Sequence, residues 1–187
     1  MSEIPENNRK ELLELAREII KARIERRSPS FSLSQSDLYS ENRGCFVTLH
    51  KNSNLRGCIG IIEPVMKLSE AVQMNAVNAA FDDPRFSPLK KEELGAVDLE
   101  ISVLTVPKKL EYSDSSDLLK KLRPGQHGVI ISKGSRKATF LPQVWSQLPD
   151  PVQFLQHLCM KAGLDASSWK DSDFNVQVYE AEVFSEK

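Results

Sequence analysis

Apolar residues recur at steps of three and four near the start of the chain. Leu12, Leu15, Ala16, Ile19, Ile20 and Ile24 make one stripe, which predicts a helix over "NNRKELLELAREIIKARIERR". Arg23, Arg26 and Arg27 fall near its end, where cations complement the helix dipole, and Pro29 marks the stop. The period then shortens to two. "GCFVTLH" and "LRGCIGII" flank the turn signal "KNSN" and predict a hairpin that ends before Pro64. "LSEAVQMNAVNAAF" restores the helical period, with Asn75 as the polar member of a face formed by Leu68, Ala71, Val72 and Ala79. Two prolines fix "DDPRFSPL" as a loop. In "AVDLEISVLTV", Val97, Leu99, Ile101 and Val103 point one way while Asp98, Glu100 and Ser102 point the other, as in a strand.

The second half is built from shorter pieces. "SDSSDLLKKL" reads as a helix capped by serine or aspartate, and "PGQHGVIISKGSRKATFL" as two strands around Gly134. "PQVWSQL" is a short helix with proline near its start. "DPVQFLQHLCMKAGL" is a longer one, with Phe154, Leu155, Leu158, Cys159 and Ala162 on one face and Gly163 at its end. "FNVQVYEAEVF" closes the chain as one strand. Helices and hairpins mixed without a β-α-β rhythm indicate an α+β protein, with a mixed or mainly antiparallel sheet and flanking helices. The 187 residues suit a single domain over 1–187. Both faces of the predicted hairpin are largely apolar, so helices are expected on both, around one continuous sheet.

Composition narrows the chemistry. A formal net charge of −1 gives no basic field to hold a polyanion, which weighs against nucleic-acid binding. No apolar run approaches about 18 residues, so no membrane span is expected. The first residues lack the apolar core of a signal peptide, and a cytoplasmic location is expected. Three cysteines and three histidines lie scattered, without C-x-x-C or H-E-x-x-H, so neither a metal site nor a disulfide framework is expected. No P-loop or dinucleotide fingerprint is present, and no cofactor is expected.

"NLRGCIG" is the stretch with chemical content. With Asn52 and Ser53 centring the turn, His50 opposes Leu55 and Val47 opposes Cys58. Cys58 then shares a face with Cys45, Val47, Leu49, Arg56 and Gly60, although a one-residue bulge would alter part of this map. A guanidinium beside a thiol lowers its pKa or holds an anion next to the sulfur, and Gly57 and Gly60 leave room for a ligand. The alternative is a small, buried cysteine in a bent strand. His50, His127 and His157 are all available as a base. His127, before Gly128 at the start of a strand, is placed best to face a cleft. Asp98 and Glu100 stand about 7 Å apart on one strand, as paired carboxylates can, but the solvated face of a strand looks the same.

The segments "GCFVTLHKNSNLRGCIG", "NAVNAAFDDPRFSPL", "LEISVLT", "HGVIISKG", "ATFLPQVW" and "FLQHLCMKAGL" together resemble the AMMECR family, in family order and over nearly the whole chain. The resemblance implies an α+β fold with a larger and a smaller lobe around a groove. It also implies association with a Memo-like protein and a radical S-adenosylmethionine enzyme. The family pattern falls on Arg56, Gly57, Cys58, Gly60, Asn75, Asp83, Pro84, Arg85, Phe86, His127, Gly128, Leu141, Pro142, Gln143 and Trp145. Arg56, Asn75, Asp83, Arg85 and Trp145 are the expected ligand-binding side chains, for a small anion or a peptide, with Trp145 as a floor. Two functions fit: a binding or adaptor domain working with a protein-modification system, or an enzyme with Cys58 as nucleophile and His127 as proton shuttle, acting on an anionic or peptide-like substrate.

Overall fold

A computed structural model describes residues 3–186. In chain order the elements are α1 (Glu6–Glu25), β1 (Cys45–Lys51), β2 (Asn54–Ile61), α2 (Leu68–Val77), β3 (Val97–Leu104), β4 (Lys108–Lys109), α3 (Ser115–Lys121), β5 (Gly128–Lys133), β6 (Arg136–Phe140), α4 (Pro151–Lys161), β7 (Asn175–Tyr179) and β8 (Ala181–Ser185). The fold is α+β with antiparallel sheets and flanking helices. It comprises two four-stranded sheets, ordered β2-β1-β3-β8 and β4-β7-β5-β6. Two compact units result: one runs through Val106 and resumes at Glu182, the other is Pro107–Ala181. The expected single continuous sheet is thus replaced by two.

The division explains the one strand expected over "FNVQVYEAEVF". The chain leaves the second sheet after Tyr179 and joins the first at Ala181, so an apparently continuous run serves two cores. Alternation within a run says nothing about which neighbour each half pairs with.

In the first unit, Leu12, Ala16 and Ile20 of α1 and Leu68, Val72 and Ala76 of α2 pack on Cys45, Val47, Leu49, Leu99, Ile101 and Val103. Burial of each large aliphatic side chain is worth about 1.5–3 kcal/mol. Helix α1 ends on Arg26 in the left-handed region, φ 54°, with the Arg27 N–H donating to the Ala22 carbonyl at 3.0 Å. The Arg27 side chain then pairs with Glu18 and Glu25.

The hairpin turns on Asn52 and Ser53, both at positive φ, which suits the twist of the strands they join. His50 opposes Leu55 as expected, but Leu49 opposes Gly57, leaving Arg56 as an extra residue in β2. Beyond this bulge the register moves by one, so Thr48, not Val47, opposes Cys58. Gly57, Ile59 and Ile61 join the core face. Cys58 and Gly60 lie on the other face, with Phe46 and Thr48 of β1 and Glu100 and Ser102 of β3. The expected grouping of Cys58 with Cys45, Val47 and Leu49 is therefore inverted. Helices α1 and α2 pack on the core face, whereas the face bearing Cys58 is polar.

In the second unit, Leu118, Val129, Ile131, Phe154, Leu155, Leu158 and Val176 make the core. Of its two helices, α3 starts on a cap of the expected kind, an aspartate, and α4 on one the sequence reading did not name. Asp114 accepts from the Ser116 and Asp117 amides, and Asp150 accepts from the Gln153 amide, with Pro151 in the first turn. Gly163, at φ 71°, ends α4, and the Leu164 N–H reaches the Cys159 carbonyl at 2.9 Å.

Candidate functional site

Cys58 lies on an edge strand, and its backbone is closed by side chains from the loop after α2. The helix expected over residues 68–81 changes at Asn78 into a π-helical turn, Asn78–Asp82, and the loop residues 83–86 follow. The Cys58 N–H donates to Asp83 Oδ2 at 2.9 Å, and the Arg85 guanidinium donates to the Cys58 carbonyl at 3.1 Å. Asp83 also accepts from the Arg85 amide at 3.1 Å and from the Arg85 guanidinium at 2.9 and 2.7 Å. A carboxylate and a guanidinium thus do for one residue what a neighbouring strand would do, blunting the sheet edge.

Asp83 is buried and ionised. The Arg85 guanidinium, helped by the Cys58 and Arg85 amides, holds its carboxyl well below the usual range against the opposing effect of burial. Arg85 itself is 53% exposed at the side chain.

Arg56, the bulged residue, turns toward Glu93. Its guanidinium contacts both carboxylate oxygens, at 3.1 and 2.9 Å, and donates to the Ser87 carbonyl at 3.0 Å. Lys51 reaches the same carboxylate at 2.9 Å. Glu93 is pulled down to about 2, by Arg56 first and Lys51 second. The guanidinium bonded to Cys58 is accordingly that of Arg85. The Phe86 ring lies 5.9 Å from the Arg56 guanidinium carbon and 5.5 Å from that of Arg85, in cation–π range of both.

Asn75 is wholly buried. Its amide donates to the Cys45 carbonyl at 3.0 Å and approaches the Cys45 sulfur at 3.4 Å, while its Oδ1 has no partner among the described residues. It holds the start of β1 from within the core.

The three thiols differ. Burial pushes Cys45 up to about 11, and burial also raises Cys159. Cys58 alone is half-buried, and the Thr48 hydroxyl donates to its sulfur at 3.3 Å.

His127 and Trp145 belong to the second unit. His127 Nδ1 accepts from the Arg123 amide at 3.2 Å, and burial, then the Arg123 charge, lowers its pKa. The Trp145 indole N–H donates to the His127 carbonyl at 2.6 Å, and its ring stacks on Phe154 at 3.7 Å. Trp145 is a core side chain there, 3% exposed.

Thr48 and Glu93 escaped the sequence reading. Thr48 reaches Cys58 only through the shifted register, and Glu93 sits in "KKEEL", which reads as a solvated charge cluster. Among the described residues, no group of three or more His, Cys, Asp or Glu is placed to hold a metal ion. No helix there is long and apolar enough to cross a membrane.

These features define an α+β protein of two antiparallel sheets, with a polar loop closing an edge strand at a half-buried cysteine. A model of the AMMECR1 family matches residues 13–184, and the chain belongs to that family. A protein of Aquifex aeolicus is 41% identical over 185 residues, covering 95% of this chain and 92% of its own. A protein of Nanoarchaeum equitans, NEQ441, is 37% identical over 181 residues, covering 94% and 98%. The crystal structure of an uncharacterized Pyrococcus horikoshii protein, PH0010, superposes with a TM-score of 0.86 at 34% identity, over 100% of this chain and 95% of that one.

Proposed function

We propose that the chain is a cytoplasmic binding or adaptor domain of a protein-modification system, with its recognition surface beside the β2 edge of the first unit. The observation behind this reading is that Arg56, Asp83 and Arg85 are occupied in holding the strand rather than poised around a reacting atom. What they leave on the surface is the half-exposed Arg85 head, the Phe86 ring between two guanidinium groups, and Leu55 and Val65, which are 42% and 68% exposed. Exposed arginine, aromatic and aliphatic side chains are the composition of a protein contact surface. A peptide segment fits it better than a free small anion, because both guanidinium groups already have carboxylate partners.

A Memo-like protein and a radical S-adenosylmethionine enzyme are the first partners to test, on the strength of the family resemblance. Each would be titrated into the labelled domain and backbone amide shifts followed. Shifts at residues 54–65 and 83–87 are expected, with Leu55→Asp plus Val65→Asp weakening binding about tenfold or more. Both positions are exposed, so the double variant keeps its fold. Binding by neither protein, or shifts confined to other surfaces, would remove the reading.

A second reading, cysteine-dependent chemistry at Cys58, is favoured by the hydroxyl that Thr48 directs at the one half-buried thiol.

A further inference from the structure

The second sheet opens a cavity of its own where two of its strands part. Strand β4 pairs with β7 at Lys108 with Val178 and Lys109 with Gln177, and one further bond joins the Leu110 N–H to the Val176 carbonyl at 2.9 Å. Beyond Leu110 the chain turns away to enter α3, while the helical turn Ser168–Lys170 lies ahead of β7. The Tyr112 hydroxyl donates to the Phe174 carbonyl, the bond a longer β4 would have made. Between residues 109–115 and 169–176 lies a cavity of about 420 Å³, within the range of roughly 300–1,000 Å³ found for small-molecule sites. Leu110, Tyr112, Trp169, Phe174 and Val176 bring apolar surface to it. Its lining lies wholly within the second unit and includes no residue of the family pattern.

The carboxylates around this cavity already have partners. Glu111 pairs with Lys109 at 2.9 Å, Asp171 pairs with Lys133, and Asp114 accepts from the Ser116 and Asp117 amides at 2.8 and 2.9 Å. Two side-chain nitrogen donors, from adjacent residues, have no acceptor. The Trp169 indole N–H belongs to a residue only 4% exposed and has no partner among the described residues. The Lys170 ammonium stands over the Trp169 ring, 5.2 Å from its centroid, and forms no ion pair among the described residues. A buried N–H without an acceptor is costly and rare in folded proteins. Trp145 shows the usual arrangement, with its indole N–H on the His127 carbonyl at 2.6 Å.

We propose that this cavity binds a small carboxylate carried on a flat apolar body, the carboxylate taking the Trp169 indole N–H and the Lys170 ammonium. The open groups of the wall are donors, so the ligand must bring acceptors, and a carboxylate offers two oxygens to two donors. One donor is a cation, which makes its bond charge-assisted and favours a carboxylate over a neutral carbonyl. The negative groups nearby do not cancel that preference. Glu111 and Asp171 are each held by a lysine, and Asp114 is turned to the amides that begin α3. The body is flat and apolar because the indole of Trp169 and the ring of Phe174 stand beside Leu110 and Val176. This site goes beyond the partner surface argued above and does not depend on it.

The test is titration of the intact, nitrogen-15-labelled protein with benzoate, benzamide and acetate. The chain holds two tryptophans and so gives two indole N–H signals, which Trp145→Phe assigns. Benzoate should move the Trp169 signal saturably and leave that of Trp145, already bonded, in place. Benzamide, flat but uncharged, should bind at least about threefold more weakly. Lys170→Gln, at an exposed position, should weaken benzoate alone and so close that gap. Acetate, a carboxylate without the body, should bind at least about tenfold more weakly than benzoate. No saturable movement of the Trp169 signal up to the solubility limit of sodium benzoate overturns the site, as does equal movement of both indole signals. Benzamide binding as tightly as benzoate, or Lys170→Gln leaving benzoate unaffected, overturns the carboxylate. Acetate matching benzoate overturns the apolar body. The partner titration reads residues 54–65 and 83–87 of the first unit, so the two readings fail separately.

Discussion

The two units solve the same problem with different materials. Each wraps helices on a four-stranded antiparallel sheet, and each contains residues of the family pattern. In the first, that pattern supplies polar side chains bonded to backbone: Asp83 and Arg85 to Cys58, and Asn75 to Cys45. In the second, the pattern supplies bulk: Trp145 stacks on Phe154, and Gly128 makes room for the Tyr179 ring. The lesson is that one family pattern can encode an edge closure in one place and core packing in another. A polar residue fixed in a pattern is therefore no measure of chemical freedom.

Glycine substitutions test that contrast most severely. In Gly57→Ala the new Cβ meets the Ala79 carbonyl oxygen at 2.1 Å, a backbone atom that cannot move aside, and a loss of about 3 kcal/mol or more in denaturant unfolding is expected. In Gly128→Ala it meets the Tyr179 ring at 2.3 Å, and a smaller loss of about 1–3 kcal/mol is expected because a side chain can shift. Equal losses would erase the distinction between the backbone clamp and the packed ring.

Asp83→Asn removes a buried charge that serves two amides and a guanidinium, and should cost about 2–3 kcal/mol at neutral pH. The folded-state pKa of Asp83 is depressed, so its contribution is complete above the unfolded value of about 3.9 and is lost as pH falls below it. The variant should accordingly lose less stability than wild type between neutral and acid pH. A parallel pH dependence in the two proteins would deny the carboxylate this role.

Trp145→Phe keeps the stack on Phe154 but leaves the His127 carbonyl without its indole donor, for an expected loss of about 1–2 kcal/mol by thermal or denaturant unfolding. A loss nearer that of a cavity would mean that the indole's bulk, not its N–H, is what the second unit uses. The smallest effect is expected at His127, whose folded pKa is lowered by burial and by Arg123. The folded state favours neutral imidazole, so stability is full above the ordinary value of about 6.5 and declines as pH falls through it. His127→Gln should flatten that slope in unfolding curves measured on either side of neutrality. A rise in wild-type stability on acidification that the variant abolishes would reverse the sign and refute the assignment.

Periodicity along the chain determined the element types, because helix and strand faces follow from local spacing that each segment carries itself. The stripe of α1 and the alternation of β3 were legible on that ground, and the capped start of α3 and the Gly163 stop of α4 were legible from single residue types. Motif content likewise identified the family and drew attention to Cys58, Asp83 and Arg85. Tertiary structure alone decided where those side chains point. One extra residue at Arg56 inverted the face on which Cys58 stands, since strand alternation has a period of two and a single insertion reverses everything beyond it. It also decided that Arg56 pairs with Glu93 while Arg85 serves Cys58, and that "FNVQVYEAEVF" divides between two sheets. Those outcomes rest on contacts between residues distant in sequence, whose partners no local pattern specifies.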